Sequence, residues 1–127
     1  NVFQKNNGCS SAPNATCVLG FADLSAQRGY PVLIAESFPR FLGTHAGQAS
    51  WDGWFAPFFD TLLKKPAVKG FSYIDRDCTK NSTTRTTCVG GLWGDARVEV
   101  PAAAYVGQRY RQTMKTDAFV HAACLSD

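Results

Sequence analysis

Hydrophobic positions along this chain follow two different periods. The run Pro31-Val32-Leu33-Ile34-Ala35 is apolar throughout and stops at Glu36-Ser37, which predicts a strand over 32–35 of the doubly covered kind found in parallel sheets. A second strand is predicted over 68–74, centred on Phe71-Ser72-Tyr73-Ile74 and followed by Asp75 and Asp77. Between them Trp51, Trp54, Phe55, Phe58, Phe59, Leu62 and Leu63 recur at three- and four-residue steps, a broad apolar stripe on a helix with Ser50 as its N-cap. Pro57 lies inside that stripe and predicts a lost hydrogen bond and a kink unless it falls in the first turns. Lys64 and Lys65 place positive charge at the helix C-terminus, and Pro66 ends it. A shorter helix is expected over 22–28, stopped by Gly29. A last one should start near Pro101, with Ala102, Val106 and Tyr110 on one face. Residues 1–20 read as irregular, and 38–48, with Pro39, Gly43 and Gly47, as a long loop after the first strand.

Strands alternating with helices, each strand followed by a long loop, indicate an α/β fold with a parallel sheet. Two βα units bury too little to stand alone, and a complete eight-unit barrel takes ~250 residues. The chain therefore reads as the C-terminal portion of a larger fold: residues 1–20 an irregular lead-in, 21–115 the last βα units, and 116–127 a tail.

Composition narrows the function classes. The 127 residues are 45% hydrophobic and 18% charged, values of a folded domain. The net charge of +3 is scattered, its densest groups being Lys64-Lys65 and Arg109 with Arg111. That is too little for a nucleic-acid footprint. No apolar stretch reaches the ~20 residues of a membrane span. The first residue is Asn1 rather than Met, which reads as a processed, trimmed or partial chain. Cys9 and Cys17 bracket one short polar segment, and Cys78 and Cys88 another; each pair is expected to form a local disulfide. Asn14 and Asn81 head glycosylation sequons inside the same two segments. Together these features predict a secreted protein. Cys124 is left over, either as a buried thiol or with a partner outside the chain. No cysteine pair or His45/His121 spacing matches a zinc site, so no metal or other cofactor is expected.

The candidate chemistry centres on Glu36. A carboxylate is costly to bury, so one that ends an apolar strand belongs at the rim, where water or a ligand reaches it. Strand alternation puts Val32, Ile34 and Glu36 on one face; if Glu36 points to a barrel axis, Val32 and Ile34 fill the layers beneath it. The plainer reading is a strand-end Glu that caps a loop or pairs with an Arg.

Four segments taken in order shift the balance. Pro31-Val-Leu-Ile-Ala-Glu-Ser37, Trp51-Asp-Gly-Trp-Phe-Ala-Pro-Phe58, Val68-Lys-Gly-Phe-Ser-Tyr-Ile-Asp75 and Trp93-Gly-Asp-Ala-Arg97 resemble the C-terminal third of glycoside hydrolase family 26, largely endo-β-mannanases. The resemblance spans about residues 20–115. It implies the seventh and eighth βα units of a (β/α)8 TIM barrel, with Glu36 as the nucleophile of a retaining glycosidase acting on mannan-type polysaccharide. The acid/base Glu expected at the end of strand four has no counterpart here, so the chain alone should be inactive. Tyr73, Asp75, Trp93 and His45 are the expected substrate contacts. The alternative for each is core packing or a loop role, and for Asp75 and Asp77 loop capping or pairing with Arg76 or Arg97. Arg76 and Cys78 stand where related enzymes carry aromatic residues. This departure leaves a second possibility open, a secreted non-catalytic carbohydrate-binding or interaction protein derived from such a barrel.

Overall fold

The structure, a computed structural model, describes residues 18–79 and 93–120. Helix α1 (Val18–Gln27) leads into strand β1 (Val32–Ser37). Helix α2 (Gln48–Ser50), a π-helical turn (Trp51–Phe55) and helix α3 (Ala56–Lys64) then run on as one rod into strand β2 (Val68–Tyr73). A small hairpin of β3 (Asp77–Cys78) and β4 (Gly94–Asp95) follows, then a 3-10 turn (Pro101–Ala103) and helix α4 (Ala104–Met114).

Helix α1 begins a turn earlier than its apolar pattern predicts, so residues 18–20 are helical rather than irregular. Its end is as expected: Gly29 has φ +72°, and the N–H groups of Gly29 and Tyr30 donate to the carbonyls of Ala26 and Ser25. Lys65 Nζ lies 2.6 Å from Asp23 Oδ1 and ties α1 to the turn before β2.

β1 and β2 pair in parallel, with Val32 opposite Val68 and Ile34 opposite Phe71. One face of this sheet lies against the aromatic stripe. Trp51, Trp54, Phe55, Phe58, Phe59 and Leu62 are buried with Val98 and Val106, and Ile34, Val68, Phe71 and Tyr73 pack onto them. Phe55 is fully buried, its ring stacked 5.8 Å from Trp51 and edge-on 4.9 Å from Trp54. Among the described residues the other face is open: Leu33 is 71% exposed and Ala35 is exposed as well. The described helices cover one face of β1 only, with Ile34 packed against them, so among the described residues the strand lacks the second cover that its apolar run predicts.

Pro57 falls in the first turn of α3, just after the rod widens. In the π turn the Ala56 N–H reaches back five residues to the Trp51 carbonyl, which leaves Pro57 early in α3. Ser50 is fully buried inside the helix, not its N-cap, and its hydroxyl accepts the Ala46 N–H at 3.1 Å. In the last helix Val106 is buried and Tyr110 packs on the core. Ala103 takes the buried place expected of Ala102, because the 3-10 turn shifts the phase of the first residues. Gly107 sits where a Cβ would lie 2.1 Å from the Val98 carbonyl, so only glycine lets α4 approach this closely.

Candidate functional site at the strand ends

The C-terminal ends of β1 and β2 carry loops that are fastened to each other. After β1 the chain winds tightly. Arg40 N–H donates to the Phe38 carbonyl, and the Pro39 carbonyl accepts from both Leu42 and Gly43. Phe41 has φ +69°, alone among the non-glycine residues described, and Gly43 has φ +63°. Thr44, fully buried, locks this loop to the segment after β4. Its N–H donates to the Asp95 carbonyl at 2.9 Å, and its hydroxyl lies 3.0 Å from that oxygen and 2.9 Å from the Arg97 carbonyl. A Cβ on Gly43 would sit 2.8 Å from the Asp95 carbonyl oxygen, so the two backbones touch at a place where a side chain has no room.

Asp95 is the electrostatic centre of this junction. It is almost fully buried and accepts the backbone N–H, Nε and Nη2 of Arg97, the last at 2.6 Å. His45 Nε2 lies 3.1 Å from Oδ2, the same oxygen that accepts Arg97 Nη2. The Arg97 hydrogen bonds hold the Asp95 carboxyl below the usual carboxylate range, against the opposing effect of burial. Asp95 in turn raises the guanidinium still further. Arg97 also reaches Asp77 at 3.1 Å, and the Asp77 carboxyl is lowered chiefly by its bonds to the Thr79 hydroxyl and N–H. Asp75 accepts the Val98 N–H at 2.7 Å. Asp75 thus caps the backbone at Val98 and Asp77 pairs with Arg97, the loop-capping and ion-pairing roles weighed for them from the sequence.

Glu36 sits where β1 goes out of step with β2. Ile34 faces Phe71 and Ser37 faces Tyr73, so β1 spends three residues on a step that takes β2 two. Ser37 turns inward, and its hydroxyl donates to the Ser72 carbonyl at 2.6 Å. Glu36 is left exposed. A bulge of this kind re-aims a side chain at a strand end, and strict alternation could not have foreseen it. Glu36 forms part of the wall of a cavity of about 210 Å³, shared with Ile34, Phe38, Arg40, Trp54 and Trp93 among others. Among the described residues it is the only carboxylate in that wall.

The other expected contacts divide. Trp93 lies in the cavity wall, its ring centroid 5.3 Å from that of Phe38. Tyr73 does not. Its hydroxyl donates to the buried Ala96 carbonyl at 2.6 Å, and its ring packs among Trp54, Phe55 and Tyr110. Burial pushes the Tyr73 phenol well above its usual range, with Asp75 adding to the effect. The apolar core claims this side chain because it lies on the helix-facing side of β2. His45 is half-exposed but engaged with Asp95, and it is not part of the cavity wall. Thr44 and Arg40 had no signal in spacing or periodicity. Arg97 was visible as a possible partner of Asp77, a pairing it makes, whereas Asp95 was visible only as a member of the Trp93–Arg97 segment.

Cys78 is buried and disulfide-bonded. Its partner, and with it Cys9, Cys17, Cys88, Cys124, Asn14 and Asn81, lies outside the described residues. Among the described residues no helix is long and apolar enough to cross a membrane, and no group of three or more His, Cys, Asp or Glu could hold a metal ion.

No protein-family model matches the chain. Two characterised proteins do. A β-1,3-xylanase from Alcaligenes sp is 33% identical over 75 residues, covering 58% of this chain and 16% of the relative. The β-1,3-xylanase TXYA from Vibrio sp is 32% identical over 74 residues, with the same coverage. The chain thus spans 16% of the length of the curated relatives it matches, and what it shares with them is similarity to a part of two enzymes named β-1,3-xylanase.

Proposed function

We propose that this chain is part of a secreted glycoside hydrolase that cleaves a β-linked polysaccharide, with β1 and β2 as the last two strands of a (β/α)8 barrel and Glu36 as its nucleophile. The similarity to two β-1,3-xylanases over more than half of the chain carries this reading. β-1,3-xylan takes precedence over mannan as substrate, since neither relative is named a mannanase.

In this reading the exposed Glu36 carboxylate attacks the anomeric carbon and forms a glycosyl-enzyme ester. Water then displaces Glu36 from the face that the leaving group vacated, and the two inversions together retain the configuration. Retention requires a second carboxyl group ~5–5.5 Å away to protonate the leaving oxygen and later to activate the water. Asp75 and Asp77 are committed to Val98 and to Arg97 and Thr79, so the acid/base belongs to the remainder of a longer polypeptide. In this reading the helix-free face of β1 and β2, with Leu33 exposed, lines the barrel interior, and further strands pair along the outer edges of the two.

The test is hydrolysis of β-1,3-xylan and β-mannan by the full-length product of the gene that carries this segment. Wild type should release xylo-oligosaccharides with retained anomeric configuration, and Glu36→Gln should lower kcat by about 1,000-fold or more. A Glu36→Gln enzyme of undiminished activity would remove Glu36 from the mechanism. Binding of xylan without any hydrolysis by wild type would instead favour the non-catalytic carbohydrate-binding reading.

A further inference from the structure

We propose that Ser37 is a positioning residue for Glu36: its buried hydroxyl, bonded across the sheet to the Ser72 carbonyl, holds the bulge that turns the carboxylate out of the packed face of β1. This inference rests on the reading of Glu36 as nucleophile given above and assigns the group that aims it.

Strand phase carries the argument. Ile34 packs onto the aromatic stripe, so counting on by two would give Glu36 the same helix-facing place. A carboxylate aimed there would meet an apolar core, where a charge is costly to bury. The bulge prevents this. From the Ile34–Phe71 pair to the Ser37–Tyr73 pair β1 takes three residues and β2 two, so Ala35 and Glu36 together oppose the single Ser72. Ser37 inherits the inward place. It is 6% exposed, whereas Ala35 and Glu36 are both exposed.

Two bonds pin Ser37 at that phase. Its carbonyl accepts the Ile74 N–H at 3.0 Å, a bond that any residue could make. Its hydroxyl donates to the Ser72 carbonyl at 2.6 Å, and this bond alone of the two depends on the side chain. Ser72 is the residue the bulge faces, so the hydroxyl supplies a donor to β2 where the ladder is interrupted. Alanine would leave that carbonyl without the donor, and a thiol would donate only weakly. The phase would then rest on backbone pairing, and Glu36 would drift from its line of attack. Misplacing a reacting group by about 1 Å costs on the order of 100-fold in rate. Ser37 is buried beside the nucleophile and acts through its orientation, so the loss falls on kcat and not on sugar binding.

The experiment uses the full-length protein with two substrates, β-1,3-xylo-oligosaccharides and a 2-deoxy-2-fluoro-β-xylobioside that carries a dinitrophenolate leaving group. Attack on the second joins a Glu36 carboxylate oxygen to the anomeric carbon as the bond to dinitrophenolate breaks. That anion leaves without a proton, so the labelling rate reports the nucleophile alone. Ser37→Ala should lower kcat on the oligosaccharides by about 10–100-fold with KM within about twofold of wild type, and should slow labelling of the Glu36 peptide to the same degree. Ser37→Cys keeps a small side chain in the buried site and should behave alike. Near-UV circular dichroism reports whether each variant keeps its packing; if Ser37→Ala does not fold, Ser37→Cys decides. Folded Ser37 variants that turn over and label at the wild-type rate, with Glu36→Gln inactive, overturn the role of Ser37 and leave the nucleophile in place. A loss confined to KM overturns it as well. A wild type that takes no label at Glu36 overturns the proposed function, and Ser37 falls with it.

Discussion

Replacing Asp95 with asparagine removes a buried charge that joins Arg97, after β4, to His45 in the loop after β1. The native carboxylate accepts three donors from Arg97 and lies within hydrogen-bond range of His45. The amide keeps the shape and one acceptor oxygen but loses the charge. A hydrogen bond to a charged group contributes ~1.5–3 kcal/mol. Arg97 is 40% exposed and regains water when released, so only part of that sum is lost, about 2 kcal/mol. For a domain of this size that lowers Tm by about 8 °C. Because Arg97 depresses the Asp95 carboxyl in the folded state, its stabilisation is complete above the unfolded carboxyl value of ~3.9 and disappears as pH falls through the lower folded value. Urea unfolding followed by tryptophan fluorescence measures this directly, since Trp51 and Trp54 are buried in the core. The gap between wild type and Asp95→Asn should be full at pH 7 and narrow below about pH 4. A gap under ~0.5 kcal/mol at pH 7, or one that stays constant down to pH 2, would refute the reasoning.

Two further outcomes are open to simple measurement. Tyr73→Phe leaves the Ala96 carbonyl without its hydroxyl donor and should cost ~1–2 kcal/mol in urea unfolding, with KM for xylo-oligosaccharide unchanged; a raised KM would return Tyr73 to the cleft. Peptide mapping under non-reducing conditions should link Cys78 to Cys88, and a bridge from Cys78 to any other cysteine would withdraw the local-loop assignment.

Much of the fold was legible because burial here follows period. The stripe from Trp51 to Leu62 and the apolar run before Glu36 each have a solvent-free side that the residues declare. What stayed hidden depends on contacts between distant segments. Strict alternation predicted the face of Glu36, but the bulge that sets it arises from the register of β1 against β2. Tyr73 looked like a strand-end aromatic available to sugar, yet the acceptor that fixes it, the Ala96 carbonyl, lies 23 residues away. Ser50 has the composition of a cap but serves Ala46 from inside the helix. Thr44 and Arg40 gave no warning at all, because their partners come from Asp95, Arg97 and Trp93.

The π turn at Trp51–Phe55 sets an angular phase as well as accommodating a proline. An α-helical residue advances the helix by about 100°, so one residue added to or taken from this turn would swing everything before it by a comparable angle relative to Phe58, Phe59 and Leu62. What precedes it is the loop that bears Arg40, Phe41 and Thr44. That loop also abuts the turn itself, where a Cβ on Gly53 would come 2.8 Å from Leu42 Cδ2. Deleting Gly53 would thus re-aim the cavity-bearing loop without altering a single residue of it, and helix length becomes a variable by which sites of this kind can diverge.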